Sequence, residues 1–310
     1  MDLGQLKYFI KIVEHGSFTR AAQDCSVSQP ALSQQIAKLE KELGQPLFER
    51  QGRSIEVTPA GHVLREQAEK ILQLVDDVKR QITDDGETGR IGISAIPTIG
   101  PYFVPGLLRS IGGQFSKANF VVNEDVTETL LKRCSNGEID LGILAMPASA
   151  KYLTIEPLVE EELLLALPPN HPLVGKPEIT VDDIREEPFV LLDEAHCLQE
   201  NVQAFCNHQR FQPVATSQIQ QLITVQNLVA LGHGVSLIPQ MACRGSANQG
   251  VVYRSLSGEV PKRTVAVCWN PYRYQSQLIG NFLKAMRELG DPKIMQRAAA
   301  TDSSACAVKK

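Results

Sequence analysis

No apolar run in the sequence reaches the roughly 18 residues that a membrane-spanning helix needs, so no membrane association is expected. There is no CxxC pair, and the seven cysteines are an odd number scattered from Cys25 to Cys306. A secreted disulfide framework and a zinc ribbon are both poor fits to that spacing. No repeat with a period of roughly 20–50 residues stands out, which sets solenoids aside. Excess positive charge is missing too: the net charge is −4, and bulk charge alone would not suggest a nucleic-acid binder. The first residues, 1–10, have neither a basic n-region nor a continuous apolar stretch. No secretion signal is expected, and a cytoplasmic location with reduced thiols is.

What is present is an ordinary globular mixture. The 310 residues give a prior of about two domains. Hydrophobic residues at 43% and charged residues at 21% rule out a disordered or fibrous chain.

The first composition break is the polar stretch Thr83–Gly89, between helical periodicity and β-like alternation. Before it, Leu6, Phe9, Ile10 and Val13 share one helical face. Ser17 is placed to cap a second helix and Ser28 a third, with Pro30 tolerated in the first turn, where N–H groups lack intrahelical partners. Leu32, Ile36, Leu39 and Leu43 form the expected buried stripe of that third helix, and Gly44 ends it. Leu47–Arg50 and Ile55–Val57 flank Gly52-Arg53 as a short hairpin. Three short helices and a hairpin predict a winged helix-turn-helix over residues 1–58. Thr58-Pro59 starts a long helix to about Ile82. Its residues Leu64, Ala68, Ile71, Val75, Val78 and Ile82 step by four and three, the pattern of a coiled-coil dimer seam.

From Arg90 strands and helices alternate. Arg90–Ile96, Phe120–Glu124 and Ile139–Leu144 read as strands, and Pro101–Phe115 and Thr129–Ser135 as helices, predicting an α/β unit with a largely parallel sheet. A second such unit is expected from about Leu163 to Val260. Its strands are Leu163–Leu167, Phe189–Leu192 and Val235–Pro239, and its helices lie near Cys197–Arg210 and Ile219–Leu231. Tyr274–Leu289 reads as a helix packing back on the first unit. From about Asp291 the chain turns small and polar.

The expected protein is therefore α/β. It has an N-terminal winged helix-turn-helix (1–58), a linker and dimerisation helix (59–88) and a two-lobed regulatory domain (89–300). Lobe I takes about 89–162 and 264–300, lobe II about 163–263, and residues 301–310 form a loose tail. The two-lobed unit is similar in shape to periplasmic binding proteins.

Ser17-Phe18-Thr19-Arg20-Ala21-Ala22, Val27-Ser28-Gln29-Pro30-Ala31-Leu32-Ser33 and Leu43-Gly44-Gln45-Pro46-Leu47-Phe48-Glu49-Arg50, closed by Thr58-Pro59-Ala60-Gly61, resemble the LysR-type transcriptional regulators. That resemblance implies binding of double-stranded promoter DNA as a homodimer or dimer of dimers (a homotetramer), with RNA polymerase as a partner and no enzymatic activity. Independently, a helix with its apolar stripe buried presents Ser28, Gln29, Ser33, Gln34 and Lys38, short hydroxyls and amides suited to base edges. Arg50 and Arg53 on the hairpin suit phosphate or minor-groove contact. With Arg20 and Pro30 these make up the candidate DNA-binding set. Residues 1–58 carry seven basic and seven acidic side chains, so affinity must come from placement and from two copies.

Leu191–Gln199, with its His196-Cys197-Leu198 triplet, and Cys206 nine positions on resemble the OxyR branch of that family, which senses hydrogen peroxide. So do Ile96–Tyr102 and the Thr127 region. The resemblance implies that Cys197 reacts with peroxide and Cys206 resolves it. It places Thr98, Thr127, His196 and Arg263 in the peroxide pocket. Chemically, peroxide attack needs a thiolate, and the sulfenic acid formed needs a second thiol to become a reversible disulfide. If 197–206 is helical when reduced, nine residues span about 13 Å. A disulfide needs Cα atoms within about 7 Å. The bond would then require the segment to refold. Gln199 stands where that branch often has a basic residue, so thiolate stabilisation is expected from a helix N-terminus, Arg263 or hydrogen bonds.

Other readings stay open at this point. A small organic effector between the lobes would also suit Thr98 and Thr127. A thiol peroxidase and a solute-binding protein are further alternatives, but neither needs a DNA-reading unit. His196, Cys197, Cys206 and His208 match no usual zinc spacing, so no metal and no cofactor are expected. Cys134, Cys243 and Cys268 lie among apolar neighbours and read as packing, as does Cys25.

Overall fold

In the computed structural model residues 1–51, 54–193, 197–243 and 250–289 are described, without the side chains of 50, 51, 54 and 215–218. The chain divides into two compact units, Met1–Thr83 and Asp84–Lys310.

The first unit opens with α1 (Leu3–His15), capped by Asp2, whose side chain accepts from the Gln5 N–H while the Gln5 side chain caps the Asp2 N–H in return. α2 (Phe18–Asp24) and α3 (Gln29–Leu43) begin on the caps Ser17 and Ser28, and Gly44 closes α3 with a left-handed φ of 68°. Leu6, Phe9, Ile12, Ala21, Ala22, Leu32, Ile36 and Leu39 fill the core between them. Two sequence expectations shift. On α1 Ile12 is buried beside Leu6 and Phe9, with Ile10 and Val13 only partly covered. On α3 Leu43 is 40% exposed, because the last turn runs past the packed core. The hairpin is β1 (Phe48–Gln51) against β2 (Ser54–Val57), antiparallel with Phe48 opposite Val57; its tip at Gly52-Arg53 lies outside the described residues. Glu40 ties α3 to the hairpin by accepting from the Leu47 N–H at 2.7 Å. α4 (Pro59–Thr83) starts on Thr58, whose hydroxyl accepts from the Gly61 N–H and donates to the Pro46 carbonyl. Ala68 is buried against this domain and Leu64 and Ile71 pack partly on it, whereas Val78 and Ile82 are 54% and 79% exposed.

The second unit holds a seven-stranded sheet in which β3 (Gly89–Ala95) lies between β4 (Ala118–Glu124) and β5 (Leu141–Ala145), all parallel. The sheet continues antiparallel through β11 (Lys262–Trp269) and β6 (Thr154–Leu167), with β9 (Ser236–Pro239) and β10 (Val252–Arg254) on β6. The expected largely parallel sheet is thus mixed. β11, not expected from the sequence, pairs antiparallel with β5 and with β6, of which only Leu163–Leu167 was expected as a strand. β6 also runs unbroken across the boundary expected at residues 162–163.

Two cores lie along this sheet. The first gathers Ile91, Ile93, Leu141, Ile143, Val265 and Val267 beneath α5 (Gly100–Ile111), α6 (Thr127–Asn136) and α9 (Gln277–Leu289). The second gathers Leu163, Leu165, Val190, Val225 and Leu237 beneath α7 (Cys197–His208) and α8 (Leu222–Ala230), with β7 (Pro188–Leu192) parallel to β8 (Val214–Ile219). The helix expected from Ile219 starts only at Leu222, because Val214–Ile219 pairs with β7 as a strand; its apolar content matches both patterns over so short a run. Among the described residues no helix is long and apolar enough to cross a membrane.

Candidate functional site

The ends of parallel strands carry the site. Thr98 follows β3, and Thr127 is the first residue of α6, which follows β4. In open α/β sheets, ligands bind beyond such carboxyl ends. Cys197 opens α7 and Arg263 lies on β11, directly opposite Glu161 of β6.

Arg263, Thr98 and Glu161 form one hydrogen-bonded array, with Cys197 in the field of the Arg263 charge. Arg263 has no exposed side-chain surface and Thr98 is 1% exposed. The guanidinium donates through Nη1 to the Thr98 hydroxyl and through Nη2 to the Thr98 carbonyl, both at 3.0 Å. Through Nε it donates to Glu161 at 2.7 Å. Cys197, 9% exposed, takes hydrogen bonds from the Thr127 hydroxyl and the Ala145 backbone and lies within the field of Arg263. Burial pushes the Cys197 thiol above its usual range; the Arg263 charge and then the Thr127 hydrogen bond pull the other way. Position at the start of a helix adds to that pull. Cys197 therefore meets four sources of thiolate stabilisation (Arg263, Thr127, the Ala145 backbone and the helix start), none of them on residue 199.

Cys206 is elsewhere. It sits in the last turn of α7, fully buried, and burial alone pushes its thiol up to about 12. Cys197 packs in the first core and Cys206 in the second, so α7 bridges the two. Both are free thiols. Nine helical residues hold them about 13 Å apart along the axis, too far for a bond. The His/Cys grouping considered for zinc is not assembled: its two cysteines belong to different cores, His208 is exposed against Glu259, and His196 lies outside the described residues.

In the first unit, α3 exposes Ser28, Gln29, Pro30, Gln34 and Lys38, with Ser33 half-buried and bonded by the Gln29 amide at 2.8 Å. Arg20 is exposed on α2. The Arg50 side chain and Arg53 lie outside the described residues.

Sequence reasoning missed Glu161. It sits within Glu160-Glu161-Glu162, a run of three acids just before the strand expected at Leu163–Leu167. Strand alternation was the available signal: the middle residue of the three must face opposite to its neighbours. Asn201 was missed as well; its Nδ2 donates to the Met146 carbonyl at 2.9 Å, tying α7 to the end of β5.

Residues 84–291 match the family described as LysR substrate binding domain. The chain belongs to the LysR family. Residues 3–62 of this LysR protein match a second description, bacterial regulatory helix-turn-helix protein, lysR family, so it is a DNA-binding transcription regulator. It is similar to the Pectobacterium carotovorum subsp. carotovorum protein named hydrogen peroxide-inducible genes activator, 35% identical over 274 residues, 87% of this chain and 91% of that one. It is 32% identical over 304 residues to the Escherichia coli (strain K12) DNA-binding transcriptional dual regulator OxyR, covering 96% of this chain and all of that one. A solved full-length OxyR variant from Pseudomonas aeruginosa superposes with a TM-score of 0.74 at 29% identity, over 94% of this chain and 95% of that one. The LysR protein thus shares its two-part architecture with OxyR structures over nearly its whole length.

Proposed function

We propose that this regulator responds to hydrogen peroxide through Cys197. The observation that carries the reading is the Cys197 sulfur held by Thr127 and faced by Arg263, on a helix whose far end holds Cys206. The Cys197 thiolate attacks one peroxide oxygen; the O–O bond breaks, and the leaving hydroxide takes a proton and departs as water. The product is a sulfenic acid. Cys206 then attacks the Cys197 sulfur, its thiol proton and the sulfenic hydroxyl leave as a second water, and a disulfide forms. Thr98, Thr127 and Arg263 line the peroxide site, and His196, next to Cys197 in sequence, belongs with them.

Because the reduced helix keeps the sulfurs apart, the disulfide requires α7 to unwind. That unwinding is the bistable element that changes promoter binding. DNA is read by α3 through Ser28, Gln29, Ser33, Gln34 and Lys38, with Arg20 and Pro30 beside them and Arg50 and Arg53 on the wing. Dimers form along α4 and pair into tetramers, and RNA polymerase is the downstream partner in the cytoplasm. The protein changes transcription and does not turn over substrate.

The test is a promoter reporter carrying wild type or Cys197→Ser. A peroxide response lost in Cys197→Ser supports the reading; a response retained at wild-type size contradicts it.

A further inference from the structure

Arg263 and Glu161 are the charged residues buried in the described part of the chain. They stand directly opposite each other on β11 and β6. Alternation sends Lys262 and Thr264 to the other face, where Lys262 pairs with Glu160 at 2.7 Å, leaving Arg263 and Glu161 facing inward. Glu161 is fixed from two sides: Oε1 accepts from Arg263 Nε at 2.7 Å and Oε2 from the Met241 N–H at 3.0 Å. Arg263 is in turn fixed on Thr98, whose hydroxyl, accepting from Nη1, keeps its own proton free to donate.

We propose that Glu161 is a positioning residue for the Cys197 thiol: it clamps Arg263 side-on and offsets its charge, so that Cys197 feels a paired and not a bare guanidinium. The inference rests on the assignment of Cys197 as the reacting thiol. A buried carboxylate 2.7 Å from the guanidinium converts a point charge into a dipole, whose field falls off faster with distance. The other groups that reach Cys197 are the Thr127 hydroxyl from α6, the Ala145 backbone from β5 and Glu200 on α7 itself, whose charge opposes that of Arg263. Tyr102 on α5 also lies within reach of the Arg263 charge. Glu161 thereby limits how readily the thiol becomes a thiolate and keeps the sensor from reacting at low peroxide.

The test is the pH dependence of Cys197 alkylation by iodoacetamide in the reduced full-length protein, read by peptide mass. Glu161→Gln removes the charge and keeps an acceptor for Arg263. Its alkylation curve is expected to move to lower pH, with a rate at neutral pH raised by about tenfold, the equivalent of one pH unit. Glu161→Asp is expected to fall between it and wild type. Glu160→Gln, which removes an equal charge from the exposed face, is expected to leave the curve in place. A Glu161→Gln curve that superimposes on wild type overturns the proposal, as does an equal displacement in Glu160→Gln. Where Glu161→Gln does not fold, a Glu161→Asp curve identical to wild type overturns it. Wild-type Cys197 that alkylates normally but ignores peroxide would sink the peroxide assignment and leave the Glu161 comparison intact.

Discussion

Burial divides the chemistry between the two thiols of α7. Cys197 has Arg263 and Thr127 to offset the cost of ionising, whereas Cys206 is pushed up to about 12. Cys206 is therefore held protonated by burial. Its raised value carries a stability consequence. Above the ordinary cysteine value of about 8.5 the unfolded chain loses a proton that the folded chain keeps, so stability is full below that pH and falls toward about 12. The denaturation midpoint should decline over this alkaline window, and Cys206→Ala should make the decline shallower; an equal slope would contradict the burial account. Gly61 gives a second test at this scale. An added Cβ would lie 2.5 Å from the Leu47 carbonyl oxygen and 2.6 Å from Val57 Cγ1. Gly61→Ala is expected to cost about 1–3 kcal/mol in the first unit, seen as a lower thermal midpoint. The residue types of the site were readable in the sequence because Cys197, Cys206, Thr98 and Thr127 fall in specific motifs. Glu161 was not, because its meaning depends on which strand face it occupies and on Arg263, about a hundred residues later.

Among elements, α7 is the one the proposed switch must refold. Leu198, Val202 and Cys206 bind it to the second core, while Cys197 and the Asn201–Met146 hydrogen bond bind it to the first. Unwinding must break that bond. Asn201→Ala, which leaves both thiols in place, should speed disulfide formation after peroxide by about fivefold, the worth of one hydrogen bond near 1 kcal/mol. Quenched alkylation time courses measure this, and an unchanged or slower rate would argue against refolding as the limiting step. The helices and their caps were legible from Ser17, Ser28, Gly44 and Thr58, since capping is local chemistry. The ordering of strands was not. Of β8 only Ile219 falls within the expected helix; β6 is legible only over Leu163–Leu167 and β11 not at all, because their antiparallel pairing is fixed by partners distant in sequence.

At the scale of the molecule, the regulator carries a net charge of −4, so the proposed DNA contacts must rest on a few placed side chains. Binding should weaken steeply with salt, and Lys38→Ala should flatten the dependence of log affinity on log salt if Lys38 meets a phosphate. Val78 and Ile82 continue the seven-residue apolar repeat of α4 and are exposed in the single chain. Val78→Asp combined with Ile82→Asp should lower the sedimenting mass, and an unchanged oligomer would remove α4 as the dimer seam. Central to the proposed function is that the two thiols of α7 form the peroxide-responsive pair. The direct measurement is peptide mass mapping of the full-length protein, alkylated under denaturing conditions before and after brief exposure to hydrogen peroxide. The account predicts loss of alkylation at Cys197 and Cys206 together, with a peptide linked through both. Loss of neither, or a linkage that leaves out Cys197, would contradict it.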